Sequence, residues 1–150
     1  MALEDFRFRL DIRVVFGEID YYRHVNNVAY VRWMETARID YCGVALGKPL
    51  GAPQNVIMAS QDFHYERQAQ FAELLVMGCR CSRVGNKSLD LTYELWRGTE
   101  RVGHGVSALV AFDYAANRSI RVPDAWRRRI AEYEVVAPAA GVSSPAGDGS

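Results

Sequence analysis

The chain has 150 residues, 49% of them hydrophobic and 24% charged, which describes one ordinary soluble domain with a sizeable core. Its 18 basic and 18 acidic side chains give a formal net charge of zero, and hence no general attraction to nucleic acid or anionic lipid. We therefore expect neither a nucleic-acid partner nor a membrane partner.

The cellular compartment can be predicted from two sequence features. Charged residues interrupt the first nine positions, so the start lacks the apolar core of a signal peptide, and no later stretch approaches the roughly 18 apolar residues of a membrane span. Cys42, Cys79 and Cys81 have no CxxC spacing and are interpreted as reduced core thiols. Both features predict a cytoplasmic protein.

The first predicted element is a strand within residues 6–14. Hydrophobic side chains occupy every second position there, and charged side chains fill all four positions between them. A period of two is typical of a strand with one buried face.

A long helix is predicted next, from Val28 to Cys42, ending near Gly43. Its apolar side chains recur at helical spacing along one stripe, which comprises Tyr30, Trp33, Met34, Ala37 and Tyr41. Asn26 or Asn27 can cap its start by accepting a hydrogen bond from a free amide of the first turn. A sheet would cover the bulky aromatic residues of this stripe only by curling around the helix, so we expect the helix to be central.

Four further strands follow a loop that is rich in glycine and proline. They are predicted at residues 56–67, 74–84, 87–97 and 101–112. The dipeptides Gly85-Asn86 and Gly98-Thr99 supply short turns, which imply antiparallel hairpins.

A short helix is predicted after Pro123, with Asp124 as a candidate cap and Trp126, Ile130 and Tyr133 on its docking side. The predicted domain spans residues 1–136. Residues 137–150 have too little apolar content to offset chain entropy, so we expect a mobile C-terminal tail. The order of elements predicts an α+β domain with a five-stranded antiparallel sheet.

The stretch GEIDYYRHVNNVAYVRWMETAR resembles the signature of hot-dog-fold thioesterases related to 4-hydroxybenzoyl-CoA thioesterase. The matching positions are Asp20, His24 to Asn27, Tyr30, Trp33, Glu35 and Ala37-Arg38. The resemblance continues over the later strands to Val122-Pro123 and covers most of residues 6–134. It implies a sheet wrapped around a central helix, and a homodimer or homotetramer with the acyl site at the interface. In one departure, Arg23 stands where the family usually has glycine, which affects the shape of the entrance.

Thioester hydrolysis would need a donor for the oxyanion and a group that activates water. The amides near Asn27 and Val28, at a helix N-terminus, are candidate donors. Asp20 lies on the connection before the helix, and aspartate is ordinarily ionised at neutral pH, so Asp20 could deprotonate water or attack the carbonyl directly. The resemblance makes Asp20 the catalytic carboxylate.

Simpler roles remain open for each of these residues. Asp20 could only hydrogen-bond its own loop, His24 could either assist catalysis or fix the loop, and Asn26 could either touch substrate or only cap the helix.

Glu35 and Arg38 could form a surface ion pair, whereas the family pattern suggests a buried pair. His64 and His104 lack metal-ligand spacing, so neither a metal nor another cofactor is predicted.

Coenzyme A would require a few local cations for its phosphates. Arg83, Lys87 and Ser88 flank a predicted turn, and the resemblance places nucleotide contacts near such a turn. The alternative is a solvated hairpin tip.

The sequence therefore predicts an acyl-CoA thioesterase. The acyl carrier could instead be an acyl carrier protein, and a non-catalytic module that binds an acyl or CoA ligand is the alternative from another class.

Overall fold

The computed structural model describes residues 2–47 and 51–141 of the chain. Its elements in chain order are β1 (Phe8–Arg13), α1 (Asn27–Tyr41), β2 (Gln54–Tyr65), β3 (Leu74–Val84), β4 (Ser88–Arg97), β5 (Glu100–Asp113), β6 (Arg118–Ser119), α2 (Asp124–Tyr133) and β7 (Ala139–Ala140). Short 3-10 turns lie at Leu3–Asp5 and Phe16–Glu18, and a π-helical turn lies at Cys42–Leu46.

The five long strands form one antiparallel sheet in the order β1-β3-β4-β5-β2. The predicted five-stranded antiparallel sheet is thus confirmed. Two short strands extend it, because β6 pairs with β5 and β7 pairs in parallel with β3. Among the described strands, β2 is hydrogen-bonded to β5 alone. One edge of β2 therefore carries backbone groups that no described strand pairs.

The core lies between the inner face of the sheet and α1. The predicted apolar stripe of this helix is confirmed, since all five of its side chains are buried. The sheet contributes the buried residues Met77, Cys79, Cys81, Leu89, Leu91, Tyr93 and Leu95. The period-two alternation of β4 thus places its apolar side chains against the helix.

The start of α1 agrees with the prediction, and its end differs in form. Asn26 caps the helix, because its Oδ1 accepts a hydrogen bond from the Val28 amide at 2.9 Å. Regular α-helix stops at Tyr41, after which the chain continues in the π-helical turn to Leu46. Gly47 then reverses the chain with a φ of 67°, in the left-handed region that favours glycine. The predicted loop residue Pro49 lies outside the described residues.

Helix α2 packs on the body through Trp126 and Ile130, both buried as predicted. Its cap was predicted wrongly: the N-cap position belongs to Pro123 and no side chain caps it. Asp124 instead lies in the first turn and accepts a hydrogen bond from the Arg121 guanidinium at 2.7 Å. An ion pair thus occupies the carboxylate that was expected to cap the helix.

Glu134, just beyond α2, joins three elements inside the protein. Its Oε2 accepts hydrogen bonds from the Tyr41 hydroxyl and, at 2.8 Å, from the Cys81 amide. Its Oε1 is buried and has no hydrogen-bond partner among the described residues. Burial, the main influence, raises the pKa of this carboxyl above its ordinary value.

The three cysteines are buried and unpaired, which agrees with their interpretation as core thiols.

The domain boundary at residue 136 and the mobile tail stay predictions. Residues 139 and 140 pair with β3, and residues 142–150 lie outside the described part of the chain. No described helix is both long enough and apolar enough to span a membrane.

Candidate functional site

A tight turn fixes Asp20 between β1 and α1. Ile19 and Val25 form an isolated antiparallel bridge, and inside it the Asp20 amide donates to the His24 carbonyl at 3.1 Å. The Asp20 Oδ1 accepts a hydrogen bond from the Tyr22 amide at 2.8 Å. The loop-bonding role of Asp20 is therefore real, but it occupies one carboxylate oxygen. No described residue hydrogen-bonds the other oxygen.

Arg23 closes this turn in a left-handed conformation, with a φ of 66°. Its amide donates to the Asp20 carbonyl at 3.0 Å. Glycine adopts such a φ without steric cost, whereas for a residue with a Cβ the conformation costs roughly 1 kcal/mol or more. The backbone at this position thus has the conformation for which glycine is best suited. Arg23 adopts it, and its side chain is exposed.

The first turn of α1 leaves one candidate amide unbonded. The Val28 amide donates to the Asn26 side chain, and the Asn26 amide donates to the Glu18 carbonyl at 2.8 Å. The Asn27 amide has no acceptor among the described residues. Of the two predicted oxyanion donors, the Val28 amide is therefore occupied by the cap, and the Asn27 amide is the one left without an acceptor in the described part of the chain.

An open pocket of about 590 Å³ lies beside the helix start. It is lined by His24, Val25, Asn27, Tyr30, Tyr65, Glu66, Arg67 and Gln68. The structure thus brings His24 and Asn27 together at one cavity. His24 lines this pocket, and its imidazole makes no hydrogen bond to any described residue.

An aromatic cluster forms one wall of the pocket. The Tyr30 ring lies 5.2 Å from Phe63 and 5.0 Å from Tyr65, measured between centroids. Phe63 lies directly over β5, where a Cβ on Gly103 would come within 2.6 Å of its ring. Burial raises the pKa of the Tyr30 hydroxyl above its ordinary value. Tyr65 and Arg67 were not singled out from the sequence, because only the folded strand brings them to His24.

The predicted nucleotide contacts are not brought together at the surface. Arg83 is buried, and its guanidinium donates to Asp90 Oδ2 at 2.9 Å, to Ser88 Oγ at 2.8 Å and to the Gly141 carbonyl at 2.9 Å. Ser88 is buried as well. Lys87 is the only one of the three that is half-exposed. Lys87 therefore agrees with the alternative of a solvated hairpin tip. Arg83 instead forms a buried ion pair with Asp90, and Ser88 accepts a hydrogen bond from the same guanidinium.

Glu35 and Arg38 do not form the buried pair that the family pattern suggests. Their side chains are 62% and 15% exposed, and the shortest separation of the charged atoms is 3.9 Å. Arg38 turns inward, where its guanidinium donates to Gln61 Oε1 at 3.4 Å. Glu35 stays at the surface of the chain.

Glu18 is a structural residue of the site that the sequence did not reveal. Its Oε2 accepts a hydrogen bond from the Trp33 indole N–H at 2.8 Å, and its Oε1 accepts one from the Val15 amide at 2.9 Å. Trp33 lies 15 positions away, so no local spacing signals the contact.

Among the described residues, no group of three or more His, Cys, Asp or Glu side chains could hold a metal ion.

Comparison with known proteins agrees with this architecture. The model of a family described as the thioesterase-like superfamily matches residues 14–130. A comparison with curated protein sequences gave no match.

Several solved structures share the fold. A thioesterase from Thermus thermophilus, complexed with coenzyme A and Zn, is 27% identical with a TM-score of 0.79, over 87% of this chain and 96% of that chain. A thioesterase superfamily protein from Jannaschia sp. CCS1 is 25% identical with a TM-score of 0.81, over 89% and 87%. The PA5185 protein of Pseudomonas aeruginosa is 24% identical with a TM-score of 0.79, over 91% and 97%, which speaks for the fold alone. The predicted hot-dog fold is thereby confirmed.

Proposed function

Because the chain belongs to the thioesterase-like superfamily, we propose that it hydrolyses an acyl-CoA thioester to a free acid and CoA. The observation that carries the proposal is a backbone link between two groups. One is the Asp20 carboxylate oxygen that accepts no hydrogen bond from a described residue, and the other is the Asn27 amide, which has no acceptor among the described residues. The turn that holds Asp20 is hydrogen-bonded to the helix start that bears the Asn27 amide. Asn27 lines the pocket, and the backbone bond from the Asn26 amide to Glu18 connects the helix start to the turn that bears the Asp20 carboxylate.

In this mechanism, the Asp20 oxygen not bonded to Tyr22 either takes a proton from a water that attacks the thioester carbonyl, or attacks that carbonyl itself. In both routes the C–S bond breaks and CoA leaves as the thiolate, which then takes up a proton. In the second route the acyl group is left on Asp20 as a mixed anhydride, which water hydrolyses to the free acid. The Asn27 N–H, at the positive end of α1, donates to the oxyanion that develops. The Tyr22 amide holds the carboxylate in a fixed orientation. His24, which lines the same pocket, is placed to contact the substrate.

Coenzyme A is proposed as the acyl carrier. The Thermus thermophilus thioesterase with bound coenzyme A supports this choice. Arg67 lines the pocket and is a candidate cation for phosphate, with its Nε 3.4 Å from a carboxylate oxygen of Glu100. Lys87 is half-exposed at the turn between β3 and β4, at the other end of β4, and is a separate candidate. A cytoplasmic location is part of the proposal, and three unpaired cysteines agree with a reducing compartment.

Assembly into a homodimer, which could pair further into a homotetramer, also belongs to the proposal. The free edge of β2 is the surface that supports it, because unpaired strand edges are generally covered. Ile57 and Met58 on this strand are 41% and 39% exposed. A second copy pairing along β2 would cover both the edge and these side chains.

The decisive experiment is turnover of purified protein on a panel of aliphatic and aryl acyl-CoAs, followed with a free-thiol reagent. Specific release of CoA from at least one thioester is the expected result. No turnover across the panel, with folding verified by circular dichroism, would contradict hydrolysis of acyl-CoA. The same panel carried on an acyl carrier protein then separates a different carrier from a binding module, because only an enzyme releases the thiol.

A further inference from the structure

Glu18 connects three segments that lead to Asp20 and to the start of α1. Its carboxylate accepts hydrogen bonds from the Val15 amide, two residues beyond the end of β1, and from the Trp33 indole on α1. Its backbone carbonyl accepts the Asn26 amide at 2.8 Å, directly before the helix start. The segment after β1, the helix body and the helix cap therefore meet at one residue.

Trp33 is a rigid anchor for these contacts. It belongs to the buried stripe of α1, is only 7% exposed, and its ring lies 5.1 Å from that of Tyr30. A side chain packed in this way moves little relative to its helix. The hydrogen bond from its indole N–H therefore holds the Glu18 carboxylate against α1.

Asp20 lies only two residues beyond this fixed point. Between them, Ile19 forms the bridge to Val25, so the connection from Glu18 to the Asp20 turn is short and hydrogen-bonded. The Asn27 amide lies one residue beyond Asn26, which Glu18 also holds. A shift of Glu18 would therefore move the carboxylate and the amide donor relative to each other.

We infer that Glu18 is a positioning residue for thioester hydrolysis: through Trp33 it fixes the distance and orientation between Asp20 and the Asn27 amide. This inference rests on the proposed function. Glu18 does not touch the substrate in this role, since both of its carboxylate oxygens are occupied by Val15 and Trp33. Misplacement of reacting groups by about 1 Å can cost about 100-fold in rate, so the effect is large enough to measure.

Two variants and their combination test the role. Trp33→Phe removes the indole donor and keeps an aromatic ring in the core. Glu18→Gln keeps the side-chain length and removes the charge together with one of the two acceptor oxygens. We expect each to lower kcat by about 10- to 100-fold while KM changes by no more than about two-fold. The double variant should lose little more than the stronger single variant, because both changes break the same link.

Asp40→Asn, which alters an exposed acid on the same helix, is the matched control and should keep the wild-type kcat. Melting temperatures of all variants separate positioning from plain stability: a merely structural role would lower the melting temperature and leave kcat per folded molecule unchanged. That outcome, or losses that multiply in the double variant, would overturn the inference while the thioesterase function stands. Absence of wild-type turnover would instead remove the function and the inference together.

Discussion

The carboxylate of Asp20 accepts a hydrogen bond from the backbone amide of Tyr22 at 2.8 Å, so one oxygen shapes the turn while the other is left for chemistry. Asp20 therefore has two roles to separate by mutation: the hydrogen bond that holds the loop, and the activation of water or attack on the substrate. Asparagine distinguishes the two tasks at this position. Its amide oxygen can still accept from Tyr22, but it cannot serve as a base or a nucleophile.

For Asp20→Asn we therefore expect a fall in kcat of at least about 100-fold, the range of general-base catalysis, with a nearly unchanged melting temperature. Steady-state kinetics and thermal denaturation measure the two quantities. Asp20→Ala is the companion variant, and it should lose stability as well by about 1 kcal/mol, because the bond to Tyr22 disappears. Full turnover in the asparagine variant would rule out the assignment of Asp20.

Replacing Arg23 by glycine should stabilise the protein. At a φ of 66° the Cβ of Arg23 destabilises the folded state by roughly 1 to 2 kcal/mol, and glycine removes this strain. Glycine also loses more backbone entropy on folding, which destabilises the folded state by about 0.5 to 1 kcal/mol. We expect a net gain in the free energy of unfolding of about 0.5 kcal/mol, measured by urea denaturation. Arg23→Val, which places a β-branched residue in the same conformation, should lose stability. A loss on Arg23→Gly would show that the side chain makes compensating contacts.

Glu134 should make stability depend on pH in the direction opposite to that of an ordinary ion-paired carboxylate. Burial raises its pKa in the folded protein above its ordinary value of 4.5, so the folded state binds the proton more tightly than the unfolded state. The stability that this proton provides is fully present below pH 4.5 and is lost as the pH rises through the higher folded pKa.

Glu134→Gln removes this titration and serves as the reference. The free energy of unfolding of the wild type, minus that of Glu134→Gln, should increase as the pH is lowered from neutral towards 4.5. Denaturant titrations of both proteins at a series of pH values supply the difference. A difference that does not vary with pH would mean that the carboxyl has an ordinary pKa in the folded protein.

The three thiols should be unreactive in the native protein. All are buried, and burial raises the pKa of Cys42 to about 12 and those of Cys79 and Cys81 above their ordinary value. A chromogenic disulfide reagent should therefore label none of them quickly, and all three once the chain is denatured. Rapid labelling under native conditions would contradict the burial. Slow labelling of the protein's own cysteines also keeps the background low when released CoA is followed with a free-thiol reagent.

The edge of β2 should determine the oligomeric state. We expect light scattering at micromolar concentration to give at least a dimer, and Met58→Lys to shift the population towards monomer, because a lysine opposes edge pairing. Leu74→Lys changes an exposed apolar residue on another strand and serves as the control. A wild-type monomer at these concentrations would contradict both the assembly and an acyl site at its interface.

The sequence predicted those features that follow from local periodicity and turn chemistry. The alternation of Leu91 and Tyr93 in β4 and the helical stripe of Trp33 and Ala37 each require only the spacing of neighbours in the chain. The cap at Asn26 was likewise readable from the residues that precede the helix.

Features that depend on distant segments could not be predicted in this way. Arg83 was expected at the surface, because nothing local announces that Gly141 will cover it. The bond of Glu18 to Trp33, and the pocket that joins His24 to Arg67, arise only when the helix lies in the sheet. The left-handed φ of Arg23 goes against the preference of residues that carry a Cβ, and the glycine that the resembled family usually has at this position gave only an indirect sign of it.

The contact between Arg83 and the Gly141 carbonyl has a practical consequence for anyone who shortens or tags this protein. A chain cut after Val136, where composition alone would place the end of the domain, loses β7 together with that carbonyl. The guanidinium, still paired with Asp90, would then have one donor without its acceptor and a new route to water. The C-terminal segment through Gly141 is therefore better kept whole, and affinity tags are better placed at the other terminus.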